Sequence, residues 1–95
     1  MPKENPAADK FVKAVGRRIF ELRRKAELTQ ALLAEQIDVS TPYQARVEGG
    51  TENLTLKTLH KYALAFGVRP HQLLLTPRST KVKKGRPRSK KSTAR

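Results

Sequence analysis

Ninety-five residues make one small domain, and the formal charge of +13 comes from 21 basic against 8 acidic side chains. The absence of Cys excludes a disulfide framework and any thiolate metal site. No apolar run approaches the roughly 18 residues of a membrane span. The opening Met1-Pro2-Lys3-Glu4-Asn5-Pro6 lacks the apolar stretch of a secretory signal, so the expectation is a soluble, cytoplasmic protein with no membrane partner.

The charge is unevenly spread. Residues 78–95 hold nine basic side chains, no acidic one, and only Val82 and Ala94 as apolar residues. Such a stretch cannot bury enough apolar surface to offset the entropy of ordering it, so a disordered basic tail is expected. Residues 1–8, with two Pro and no periodicity, read as a loose leader. The folded domain is then residues 9–77, a body so small that it must be well packed to be stable. Its charge points to a polyanionic partner, nucleic acid before an acidic membrane face.

From Asp9 the pattern is helical: Phe11, Val15, Ile19, Leu22 and Ala26 share one face, with Asp9 as the expected N-cap and Lys25 near the C-terminal end. Gly16 inside that helix costs about 1 kcal/mol locally and implies close packing against another element. Thr29 caps a second helix, residues 30–37, whose apolar face is Leu33, Ala34 and Ile37. After Asp38-Val39-Ser40, Ser40 caps a third helix that tolerates Pro42 in its first turn and runs to about Glu48, stopping at Gly49-Gly50. Beyond the polar Thr51-Glu52-Asn53, Thr55 caps a fourth helix, with Leu54 set to staple against Leu59. Leu56, Leu59, Ala63 and Phe66 form its expected buried stripe, and Gly67 ends it. Pro70 opens a short fifth helix carrying Leu73, Leu74 and Leu75, and Pro77 closes the domain. No segment alternates at period two, so the fold class is all-α, a compact five-helix domain.

Two short helices joined by a tight turn in a basic chain form the helix-turn-helix pattern. Helices that cross steeply need a small residue at their contact, apolar facing sides, and a turn residue that tolerates positive φ. Ala34 supplies the first, Leu33, Ile37, Val39 and Val47 the second, and Asp38 the third, less well than Gly would.

Leu28-Thr29-Gln30, Leu33-Ala34-Glu35, Val39-Ser40, Arg46-Val47-Glu48 with Gly50, Asn53-Leu54-Thr55-Leu56, Thr58-Leu59, Ala63 and Phe66-Gly67-Val68 together resemble the Cro/repressor-type, XRE-like helix-turn-helix family of bacterial and phage regulators. The resemblance runs from about Val15 to Leu74. It implies a lambda-repressor-like DNA-binding domain that acts as a homodimer on double-stranded DNA. Carried over residue by residue, it implies that Gln30 meets a phosphate and that Thr41, Pro42 and Arg46 face base edges. Tyr43 lies beside them, within reach of sugar, phosphate or a thymine methyl. Arg23 and Glu48 resemble a partly buried ion pair that ties the first helix to the end of the third. The sequence departs from the family pattern at Gln44, where an apolar core residue is usual, and at Asp38 and Glu27, where Gly is usual. Leu32 stands where an acid usually completes a capping box, and Pro42 can read a base only through shape or apolar contact.

In the tail, Lys83-Lys84-Gly85-Arg86-Pro87-Arg88-Ser89-Lys90-Lys91 resembles an AT-hook, with Lys84 to Arg88 as its DNA-binding residues. Gly lets a backbone descend to the minor-groove floor, Pro fixes an extended path, and Arg side chains lie in the negative potential over A/T tracts. His60 and His71 have no Cys or clustered acids as partners, so no metal or other cofactor is expected. Arg17 and Arg18 read as a solvated face. The run Leu73-Leu74-Leu75 exceeds what one helix face buries internally, so this apolar end of the domain is expected to be a dimer interface, with Leu74 and Leu75 at its centre. No nucleophile–base pair or phosphate loop suggests an enzyme. The function expected is sequence-specific DNA binding that regulates transcription, in the nucleoid-associated cytoplasm. The alternatives are an antitoxin-like protein-interaction module, with a toxin as partner, and an architectural nucleoid-associated DNA-binding protein.

Overall fold

A computed structural model describes residues 5–75. The AT-hook-like motif lies outside the described residues. Four α-helices follow one another: α1 (Pro6–Lys25), α2 (Gln30–Ile37), α3 (Thr41–Glu48) and α4 (Leu56–Phe66), closed by a 3-10 turn, Pro70–Leu74. Among the described residues there is no strand, and no helix is long and apolar enough to cross a membrane.

The starts of the helices follow one chemistry. Thr29 Oγ1 accepts the Leu32 N–H at 3.0 Å, Ser40 Oγ the Tyr43 N–H at 3.1 Å, and Thr55 Oγ1 the Thr58 N–H at 3.1 Å. Helix α1 departs from expectation: its cap is Asn5, whose side chain accepts the Ala8 N–H at 3.1 Å, and Asp9 sits in the first turn. Pro6, whose missing N–H is no loss at a helix start, carries the helix into the segment read from sequence as a leader.

The ends are equally uniform. Each α-helix closes with a residue of positive φ, whose follower donates back to the last turn: Glu27 (φ 62°), Asp38 (63°), Gly50 (81°) and Gly67 (70°). The returning bonds are Leu28 N–H to Arg23 O, Val39 to Ala34, Thr51 to Arg46, and Val68 to Ala63. Asp38 therefore holds the left-handed turn position assigned to it.

α1 packs on α3, α4 and the 3-10 turn, while α2 packs on α3 and α4. Ile19, Leu33, Tyr62 and Leu73 are fully enclosed at the centre, with Val15, Ile37, Val47, Leu59 and Ala63 around them. Gly16 lies where α1 meets the end of α3: a Cβ there would fall 2.1 Å from the Val47 carbonyl oxygen. The close packing implied by a glycine inside a helix is thus backbone against backbone.

Three expectations about the periphery need correction. The fifth element is a 3-10 turn, because five residues opened by Pro70 close i to i+3 more readily than they nucleate an α-helix. Of its leucines, Leu73 is wholly buried and belongs to the domain's own core, whereas Leu74 and Leu75 are exposed. Leu56 is 81% exposed and Phe11 46%, although both lie on apolar stripes. They flank an open groove of about 210 Å³ lined also by Val12, Leu54, Leu59 and Leu74. The place given to Leu56 in the buried stripe of α4 is taken by Tyr62. Ala26, the C-cap of α1, is exposed as well.

Candidate nucleic-acid interface

Helices α2 and α3 and the turn through Asp38 build the candidate interface. Thr41, Pro42, Ala45 and Arg46 are exposed on α3, while Gln44 and Val47 are buried on its inner side. Three of the outward residues were read from sequence. Ala45 was missed, although it stands one turn after Thr41 and its spacing alone could have placed it there.

The inner side is locked by a polar network centred on Glu48. Arg23 donates to both carboxylate oxygens, Nε to Oε2 at 2.6 Å and Nη2 to Oε1 at 2.9 Å, with only 10% and 6% of the two side chains exposed. Gln30 Nε2 adds a bond to Oε1 at 3.1 Å and Gln44 Nε2 one to Oε2 at 2.6 Å. Arg23 also donates through Nη1 to the Leu28 carbonyl at 2.7 Å, which ties in the loop before α2. Gln44 has no exposed surface, and its Oε1 accepts the Tyr62 hydroxyl at 2.5 Å. The polar residue standing at a usually apolar position is therefore satisfied on both sides, from α3 itself and from α4. The expected pair Arg23 and Glu48 is brought together, and it is the middle of a five-residue chain rather than an isolated bridge.

Burial by itself would raise the Glu48 carboxyl. The hydrogen bonds from Arg23, Gln30 and Gln44, with the Arg23 charge, outweigh burial and hold it below the ordinary carboxylate range. Burial pushes the Tyr62 hydroxyl up, so it stays protonated and donates to Gln44.

The expected phosphate contact, Gln30, stands half-buried at the start of α2 with its amide directed to Glu48. Tyr43 is half-buried, its ring face under the Arg46 guanidinium at 5.8 Å from the ring centre. Arg46 is 53% exposed, and its Nε donates to Glu52 Oε2 at 2.7 Å. Glu52 lies in the polar loop Thr51-Glu52-Asn53, whose composition does not point to this contact. Arg17 pairs with Glu21 at 3.1 Å on the solvated face of α1, and Arg17, Arg23 and Arg24 surround the Phe20 ring at 5.0–5.6 Å. His60 and His71 are exposed.

The small contact residue, the left-handed turn at Asp38 and an outward helix face backed by a locked inner face define a helix-turn-helix domain. The family model described as Helix-turn-helix matches residues 19–73, more than half of the chain, and the chain belongs to that family, in its XRE-type branch. It is 41% identical over 54 residues to an immunity repressor protein of Bacillus phage phi105, a match covering 57% of this chain and 38% of the repressor. The chain thus spans little more than a third of that relative's length. Among solved structures, the restriction-modification controller protein C.AhdI from Aeromonas hydrophila superposes with a TM-score of 0.65 at 31% identity, covering 68% of this chain and 94% of that one. The biofilm master regulator SinR, solved in complex with DNA, superposes with a TM-score of 0.60 at 28% identity, covering 63% and 97%.

Proposed function

We propose that this chain regulates transcription by sequence-specific binding to double-stranded DNA, with α3 in the major groove. The observation that carries the reading is the division of α3: Gln44 and Val47 anchor one side, and Thr41, Pro42, Ala45 and Arg46 are left outward together. A rigid helix that shows a short row of small or forked side chains is what base reading requires. The likeness to a repressor, a controller protein and a regulator bound to DNA supports the same reading.

In this reading Arg46 takes guanine O6 and N7 as a fork, Thr41 and Pro42 meet a thymine methyl or a base edge, and Gln30 and Tyr43 meet the sugar-phosphate backbone. Residues 84–88 follow the adjacent minor groove, or lie on phosphates. The protein acts as a homodimer through Leu74 and Leu75.

The test selects duplexes from a random library and compares the chosen site with a scrambled one at physiological salt. A regulator prefers its site by about 10³-fold or more. Arg46→Ala should weaken the chosen site by about 1–3 kcal/mol and leave scrambled DNA nearly unchanged. Equal binding of chosen and scrambled duplexes by the wild type would replace this reading with an architectural one, carried by the basic tail.

A further inference from the structure

We infer that Glu52 is a positioning residue for base reading: it sets Arg46 so that the two terminal guanidinium nitrogens point outward as a fork, and its charge disfavours DNA that offers no guanine to receive them. This rests on the reading that α3 enters the major groove.

The geometry is specific. Arg46 Nε is engaged by Glu52 Oε2 at 2.7 Å, and the guanidinium carbon sits over the Tyr43 ring, 5.8 Å from its centre. The first contact holds one edge of the guanidinium, and the ring bounds the group on another side. Among the described residues no acceptor meets Nη1 or Nη2 of Arg46. With Nε engaged, those two nitrogens are the pair left to meet guanine O6 and N7 side by side.

The placement of Glu52 is built into the backbone. The Thr51 N–H and its hydroxyl both donate to the carbonyl of Arg46 itself, at 3.0 and 3.2 Å. Gly50 makes the turn possible with φ 81°, and a side chain there would meet Lys13. The loop is thereby tied to the residue whose side chain Glu52 then holds.

Stability is a weak reason for this pair. The Arg46 side chain is 53% exposed and that of Glu52 26%, a setting in which ion pairs contribute little. Its effect on binding is larger. Holding a long side chain in one rotamer beforehand removes an ordering cost from binding. A carboxylate beside a DNA-facing helix repels phosphates, which opposes indiscriminate attachment by a chain of charge +13.

The experiment uses the full chain, a duplex selected by the wild type, the same duplex with the Arg46-dependent guanine changed to adenine, and a random duplex. Glu52→Ala should reduce the guanine-over-adenine preference by about tenfold while random DNA binds more tightly. Glu52→Gln keeps an acceptor oxygen but no charge, so it should retain most of the preference and share the gain on random DNA. In an Arg46→Ala background, Glu52→Ala should leave the preference unchanged. Unaltered helicity and melting midpoint confirm that each variant is folded. A wild-type preference retained in Glu52→Ala overturns the inference, as does an equal loss in the Arg46→Ala background. If the wild type and Arg46→Ala reveal no guanine that depends on Arg46, base reading by Arg46 has failed, and this result comes before any Glu52 variant is measured.

Discussion

Glu48 accepts four hydrogen bonds, two at each oxygen, from Arg23, Gln30 and Gln44. With both charged partners nearly enclosed, removing one strands the other, and a broken buried pair costs about 3–5 kcal/mol. Arg23→Ala and Glu48→Ala should each lower unfolding free energy by about that amount in urea titrations. The lowered carboxyl also sets a pH dependence. Its folded value lies below its unfolded one, so its contribution is complete above the ordinary carboxylate range, about pH 4.3. The contribution is lost as pH falls from there through the folded value. The wild-type urea midpoint should therefore drop more steeply below about pH 4 than that of Glu48→Gln, which has no carboxyl to titrate. Parallel curves would remove Glu48 from the acid response. Gln44 gains its meaning at the same scale. An amide buried with partners on both sides is tolerable, and its bond to Tyr62 fixes the rotation of α3 against α4.

At the scale of elements, the four α-helices share one way of ending, but two of the four left-handed positions are occupied by Glu27 and Asp38. A side chain in that conformation is strained by Cβ, less so for Asp than for Glu. Glu27→Gly and Asp38→Gly should each stabilise the fold, by about 0.5–1 kcal/mol for Glu27 and less for Asp38, because relief of the left-handed strain outweighs the extra chain entropy that glycine loses. Thermal midpoints that fall in both variants would mean that the side chains make contacts worth more than the strain. Gly16 is the reverse case, a residue whose small size is required: the carbonyl of Val47 occupies the space a methyl would need. The contact that Gly16 permits sets the distance between α1 and the end of α3, and the Arg23–Glu48 pair spans the same two helices.

Two predictions concern the whole molecule. Leu74 and Leu75 are exposed at the end of the domain, beside a groove flanked by Phe11 and Leu56. If a second copy covers this region, Leu74→Ser with Leu75→Ser should yield monomers of unchanged helicity, because Leu73 alone of the three serves the core. Sedimentation that finds the wild type monomeric with and without DNA would exclude that dimer. The second prediction concerns the tail. Deleting residues 78–95 removes nine positive charges and should flatten the dependence of log K on log salt by roughly 3–6 units, about 0.9 for each phosphate left without its cationic partner. Arg86→Ala with Pro87→Ala removes only one of those charges, yet should abolish any preference for A/T-rich flanks if the motif enters the minor groove. A preference that survives the double substitution assigns the tail to electrostatic tethering alone.

The sequence by itself determined what a few consecutive residues can encode. Caps at Thr29, Ser40 and Thr55, the turn at Asp38, the ends at Gly50 and Gly67 and the apolar faces of α1 and α2 all act within one or two helical turns, so their chemistry is legible locally. The pairing of Arg23 with Glu48, 25 residues apart, came from family resemblance, since periodicity does not relate such distant positions. Tertiary structure decided the rest. It left Phe11 and Leu56 exposed, because an apolar stripe says which face is greasy and not whether a neighbour covers all of it. It enclosed Gln44 by supplying a hydroxyl from Tyr62, 18 residues away, and it brought Glu52 back against Arg46 through a turn that a polar loop sequence does not specify. Burial and pairing depend on which surfaces meet across the fold, and that is settled only when all the helices pack together.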